Sequence, residues 1–136
     1  MPIDMSQFHE VFFEECFECL DAMETGLMAL DLDDVDLEMV NAIYRGAHTI
    51  KGGGGMFGFN ATAEYAHALE KHLSKMREGT IKITQPTRDI LLSAVDFLRG
   101  VVTDMQNRQS VNEINMQKHR EGFEAELDRL ARDNFC

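Results

Sequence analysis

Apolar residues return every three or four positions along almost the whole chain, and no sustained apolar–polar alternation interrupts them. That period lets a helix bury one face, so the pattern predicts helices and no strands. The first stripe is Phe8, Phe12, Cys16, Cys19, Met23, Leu27 and Leu30, which predicts a helix over about 5–31 with Asp4 and Gln7 as a capping box. The acidic run DLDDVD at 31–36 breaks it and offers N-cap oxygens to a second helix over about 36–54, striped by Val40, Ile43, Ala47, Ile50 and Gly54. Four consecutive glycines, Gly52 to Gly55, are expected to loosen the end of that helix. Asn60 or Thr62 opens a third helix, with Thr62, Ala66, Leu69, Leu73 and Met76 in line and Gly79 just past its end. Thr84-Gln85-Pro86 starts a fourth, carrying Leu91, Ala94, Leu98, Val101 and Met105. Ser110 and Glu113 form an S-x-x-E cap for a fifth, whose stripe of Met116, His119, Phe123, Leu127 and Leu130 is the weakest. Short connections between such seams predict an all-α fold, an antiparallel helical bundle of five helices. Residues 1–136 read as a single domain, with a four-helix core over about 5–108 and an additional helix over about 111–132 packed to one side.

Charge changes the picture along the chain more than in total. The net charge is −11. Residues 1–40 hold twelve acids and no Lys or Arg, so the remaining 96 residues are nearly neutral. No basic stripe is present to displace phosphate counterions, which argues against nucleic acid as a partner. Anionic membrane surfaces should repel the acidic segment. No apolar run approaches the ~20 residues of a membrane span, and the opening MPIDMSQF lacks the basic flank and apolar stretch of a secretory signal. Three cysteines, one of them Cys136 at the last position, make a disulfide framework improbable and fit a reducing cytoplasm.

Candidate chemistry concentrates between Tyr44 and Asn60. His48 falls about 80° around the helix from Val40, at the edge of the apolar stripe, with Asn41, Arg45 and Gly52 on the same flank. A neutral imidazole is a good nucleophile near pH 7. Lys51, one turn on, could pair with an anionic group carried on that ring. Gly52 and Gly53 remove bulk where a partner would approach. Taken alone, a surface histidine on a helix is most often an ordinary solvated side chain.

The segment HTIKGGGGMFGF at 48–59 closely resembles the H-S-I-K-G-G-A-G-T-F-G-F segment of the histidine phosphotransfer domain at the N-terminus of chemotaxis histidine kinases. NAIYRGA at 41–47 and FFEE at 12–15 resemble that family too, and the similarity covers roughly residues 5–79. Thr49, Gly55 and Met56 depart from the family's commoner serine, alanine and threonine; these departures bear on partner preference.

The resemblance implies that His48 accepts a phosphoryl group from a kinase ATP-binding domain in trans and passes it to an aspartate of a response-regulator receiver domain. It implies that Glu70 orients and polarises His48, that Lys51 balances phosphoryl charge, and that His67 belongs to the same network. His67 and Glu70 are three apart and so share a face beside Ala66 and Leu69. Arg45, Gly52, Gly53, Met56 and Phe57 are the expected docking residues. The chain is expected to bind no cofactor or metal, with ATP on the kinase domain and Mg²⁺ on the receiver used in trans. No Walker segment or ATP-lid motif is present, so the chain is not expected to phosphorylate itself. A non-catalytic helical docking module for a receiver domain would use the same flank, and acid-labile phosphate on His48 separates the two readings.

Other signals carry less. Gly53, Gly55 and Gly58 fit G-x-G-x-x-G but follow a helix instead of opening one. Cys16 and Cys19 lie on the buried stripe without a second pair to complete a zinc site. Glu64-x-x-His67 lacks the second E-x-x-H of a di-iron bundle. The resemblance further implies a segment of a longer multidomain protein, with Cys136 near a linker.

Overall fold

The computed structural model describes residues 4–133; Met1 to Ile3 and Cys136 lie outside the described residues. Five helices follow in order: α1 (Met5–Ala29), α2 (Leu37–Met56), α3 (Asn60–Arg77), α4 (Gln85–Gln106) and α5 (Glu113–Asp133). The first four form a ring in which α1 touches α2 and α4, and α3 touches α2 and α4. Contacts between the early part of one helix and the late part of its neighbour establish antiparallel packing: Phe12 meets Gly53, Asn41 meets Arg77, Thr62 meets Met105, and Arg88 meets the carbonyls of Leu27, Met28 and Leu30. Helix α5 packs outside the ring on α3 and α4. It runs parallel to α3, since Tyr65 pairs with His119 and His72 with Glu124.

The predicted stripes of α2 and α3 are buried throughout. In α1 the buried face is Phe12, Phe13, Cys16, Leu20, Met23 and Leu27, which differs from the expected stripe. Phe8 is 49% exposed and Cys19 only half-buried, whereas Leu20 is fully buried. The reason is that α1 lies between two neighbours, so its buried arc is wider than a single seam and centred differently. Burial pushes the Cys16 thiol up to about 12, an inert state for a core sulfur.

Three boundaries also differ from expectation. Helix α1 closes at Leu30, where Arg88 of α4 donates to the carbonyls of Leu27, Met28 and Leu30 at 3.0 to 3.4 Å. The glycine run does not loosen α2, which continues to Met56. A Cβ on Gly53 would lie 2.5 Å from the Phe12 ring, and one on Gly54 3.3 Å from Ala63, so these glycines are contact points that hold α2 against its neighbours. The chain then turns through Gly58 at φ +80°, a conformation favouring glycine. Asn112, and not Ser110, caps α5: its Oδ1 accepts from Asn115 N–H at 2.9 Å. At the other ends, Asp4 caps α1 through Ser6, and Gly79 takes the expected positive φ of +78° after α3.

Candidate functional site

Small residues let α2 and α3 approach closely: a Cβ on Gly54 of α2 would lie 3.3 Å from Ala63 of α3, and Ala47 and Ala66 are fully buried on their own helices. Ala47 and Ile50, both fully buried, fix the rotation of α2. His48 and Lys51 follow each of them by one residue and therefore emerge at the rim of the seam. On α3, Leu69 is anchored in the core and Glu70 follows it to the same rim.

Glu70 joins the two α2 residues. Its Oε2 accepts from His48 Nδ1 at 2.6 Å, and its Oε1 accepts from Lys51 Nζ at 2.8 Å. The exposures differ sharply: the His48 side chain is 60% exposed and that of Glu70 11%. Burial opposes ionisation of Glu70, but the hydrogen bonds and charge supplied by Lys51 and His48 outweigh it and hold the carboxyl below its ordinary range. The ionised carboxylate can only accept, so the ring carries a proton on Nδ1. In the neutral imidazole this leaves the lone pair on Nε2, on the exposed ring.

His67 does not join this group. It is exposed and makes no hydrogen bond or ion pair with a described residue. Of the expected docking residues, Arg45 is exposed, Gly52 faces open space and Met56 is 78% exposed. Gly53 is turned onto Phe12, and Phe57 is half-buried with its ring 5.7 Å from that of Phe12. Tyr44, given no role from the sequence, stands beside the imidazole, and Arg77 stands over Tyr44. The Tyr44 ring is 6.1 Å from the His48 ring at 17°, and the Arg77 guanidinium lies 3.7 Å from the centre of the Tyr44 ring. The four-residue spacing of Tyr44 and His48 on one helix was the available signal. Among the described residues, no group of three or more His, Cys, Asp or Glu side chains could hold a metal ion. No described helix is long and apolar enough to cross a membrane.

This geometry agrees with what the chain is similar to. The Chemotaxis protein CheA of Rhizobium meliloti is 35% identical over 121 residues, covering 82% of this chain and 16% of the relative. The Chemotaxis protein CheA of Salmonella typhimurium is 35% identical over 109 residues, covering 80% of this chain and 16% of the relative. The chain thus spans about one-sixth of the length of these curated relatives. Among solved structures, the CheA phosphotransferase domain from Thermotoga maritima has a TM-score of 0.70 at 32% identity, covering 76% of this chain and 98% of that one. The phosphorylated P1 domain of CheA3 in complex with CheY6 from R. sphaeroides shares the fold, with a TM-score of 0.81 at 24% identity over 93% of this chain and 99% of that one. The Hpt domain family matches residues 7–133. This chain belongs to the Hpt domain family and is homologous to the phosphotransfer domain of CheA.

Proposed function

We propose that His48 is the phosphoryl carrier of a chemotaxis signalling kinase. The observation that carries this reading is the pairing of an exposed imidazole with a nearly buried, ionised carboxylate at 2.6 Å. The Nε2 lone pair attacks the γ-phosphorus of ATP held on a kinase ATP-binding domain. An Nε2–P bond forms as the bond to the leaving oxygen of ADP breaks, and that oxygen keeps the electron pair. Positive charge develops on the ring while Nδ1–H stays on Glu70, whose carboxylate balances it. In the second step a receiver aspartate attacks phosphorus, the N–P bond breaks, and the pair returns to Nε2. The ring regains its starting tautomer. A neighbour of the same fold is bound to CheY6 in its phosphorylated form, and a response regulator of that kind is the partner class assigned here.

In this reading Glu70 is a positioning residue, and Lys51 holds it ionised while keeping further ammonium donors for phosphoryl oxygens. Arg45, Gly52 and Met56 give the docking surface its exposed rim; Gly53 and Phe57 shape it from below. ATP is assigned to the kinase domain and Mg²⁺ to the receiver's acidic pocket, and the domain is assigned to the cytoplasm. Residues 1–136 act as one phosphotransfer unit, with α5 appended to the four-helix core. Incubation with the ATP-binding domain of a chemotaxis kinase and labelled ATP should label the wild type with acid-labile phosphate, leave His48→Gln unlabelled, and deliver the label to an added response regulator. Equal labelling of both proteins, or no label on either, would count against the carrier role.

A further inference from the structure

One hydrogen bond does not fix an imidazole. Glu70 holds the Nδ1 end of the His48 ring, but a side chain 60% exposed remains free to tilt about that contact or to turn away from it. The plane of the ring has a second determinant. Tyr44, one helical turn earlier on α2, lies within 17° of parallel to it at a centroid distance of 6.1 Å. Tyr44 is itself held from α3. The Arg77 guanidinium sits 3.7 Å from the centre of its ring, within cation–π range, and Arg77 Nη1 donates to Asn41 Oδ1 at 3.0 Å. Asn41, Tyr44 and His48 are thus consecutive steps on one flank of α2, and Arg77 crosses from the last residue of α3 to fasten the first two.

We propose that Tyr44 is a positioning residue: its ring, fastened by Arg77, sets the plane of the His48 imidazole so that Nδ1–H stays on Glu70 and Nε2 faces the partner. The functional consequence rests on the reading of His48 as a phosphoryl carrier, whereas the effect on the ring does not. The physical reason is that transfer needs the nucleophilic lone pair aligned with the scissile bond, and every populated orientation without that alignment lowers the reactive fraction in proportion. A pair of constraints at right angles, a hydrogen bond in the ring plane and a ring against its face, restricts both turning and tilting. A residue that merely filled space would affect stability and leave the ring's tautomer alone.

The test uses the 136-residue chain labelled with ¹⁵N in its histidines, at a pH where the His48 ring is neutral. In the wild type the ring should be mainly the Nδ1–H tautomer dictated by Glu70. In Tyr44→Leu the ring should spend time away from Glu70 and shift towards the Nε2–H form that water favours. Arg77→Met, which removes the fastening without touching the core, should shift it in the same direction, and Tyr44→Phe should keep the wild-type mixture. Phosphorylation by a kinase ATP-binding domain should fall by about three- to tenfold in Tyr44→Leu and stay within about twofold in Tyr44→Phe. A wild-type tautomer mixture in both Tyr44→Leu and Arg77→Met overturns the proposal. If wild-type His48 takes no phosphate at all, the carrier reading fails, and the tautomer comparison still decides whether Tyr44 orients the ring.

Discussion

At the scale of single residues, the site divides labour between a group left in solvent and a group withdrawn from it. The exposure of His48 leaves Nε2 open to solvent, as the proposed transfer to a second protein requires, and the burial of Glu70 fixes its position by packing. Replacing Glu70 by Ala should slow phosphorylation by the kinase domain by about ten- to a hundredfold, the usual scale for losing an oriented acid–base partner, with the helical spectrum unchanged. An unchanged rate would remove Glu70 from the mechanism. The carboxyl's depressed pKa has a defined sign: its contribution is full above the ordinary value of 4.5 and is lost as pH falls through the lower folded value. The rim position of both was legible in the sequence, because His48 and Glu70 each follow a core position by one residue, whereas their pairing was implied only by the family resemblance. The Lys51–Glu70 bond was not, since the distance between two helices depends on which small residues meet. Nor was the exclusion of His67, because sharing a face with Glu70 to within about 60° does not ensure reaching the same partner.

At the scale of helices, glycines decide how closely α2 approaches α1, and this can be measured. Gly53→Ala places a methyl 2.5 Å from Phe12, which is confined by the rings of Phe57 and Phe59. It should destabilise the domain by about 1–3 kcal/mol in denaturant unfolding, the range for overpacked cores. Gly52→Ala meets open space and should stabilise by about 0.5–1 kcal/mol, since alanine is the better helix former. Effects of the same sign at both positions would contradict this account of the seam. The seam of α5 has its own signature. His72 is buried between Glu124 and Asp128 of α5 and Lys71 and Lys75 of α3, and burial, outweighing the nearby acids, pushes its imidazole below the ordinary 6.5. The unfolded chain therefore takes up that proton first as pH falls below 6.5, so stability is full above this value and declines until the lower folded value is passed. The melting temperature should drop between pH 7 and pH 5, and His72→Gln should flatten that slope; an equal slope in the variant would show that other groups carry it. The helices themselves were readable from periodicity, whereas their ends were less so. Arg88, which satisfies the last carbonyls of α1, stands 61 residues from Leu27 in the chain, beyond the reach of any local capping rule.

At the scale of the whole molecule, the acidic first helix and the His48 site are kept apart by the order of the ring. Helix α1 finds part of its countercharge on α4, where Arg99 bonds Asp21 and reaches Glu24 at 2.9 Å. The site lies on the α2–α3 rim, with Lys51 in it and Arg45 exposed one turn before His48 on α2. Charge arithmetic along the chain showed this division, but only the packing shows that α5 leaves the His48 flank of α2 uncovered by docking on α3 and α4. In the proposed carrier, Glu70 commits Nδ1 to a proton and Nε2 to phosphorus. Phosphorylating ¹⁵N-histidine-labelled protein with a chemotaxis kinase domain shows, by coupling to ³¹P, which ring nitrogen carries phosphorus. Coupling is expected at Nε2 of His48 alone, with Nδ1 still protonated. Phosphorus on Nδ1, or on another histidine such as the exposed His67, would contradict it.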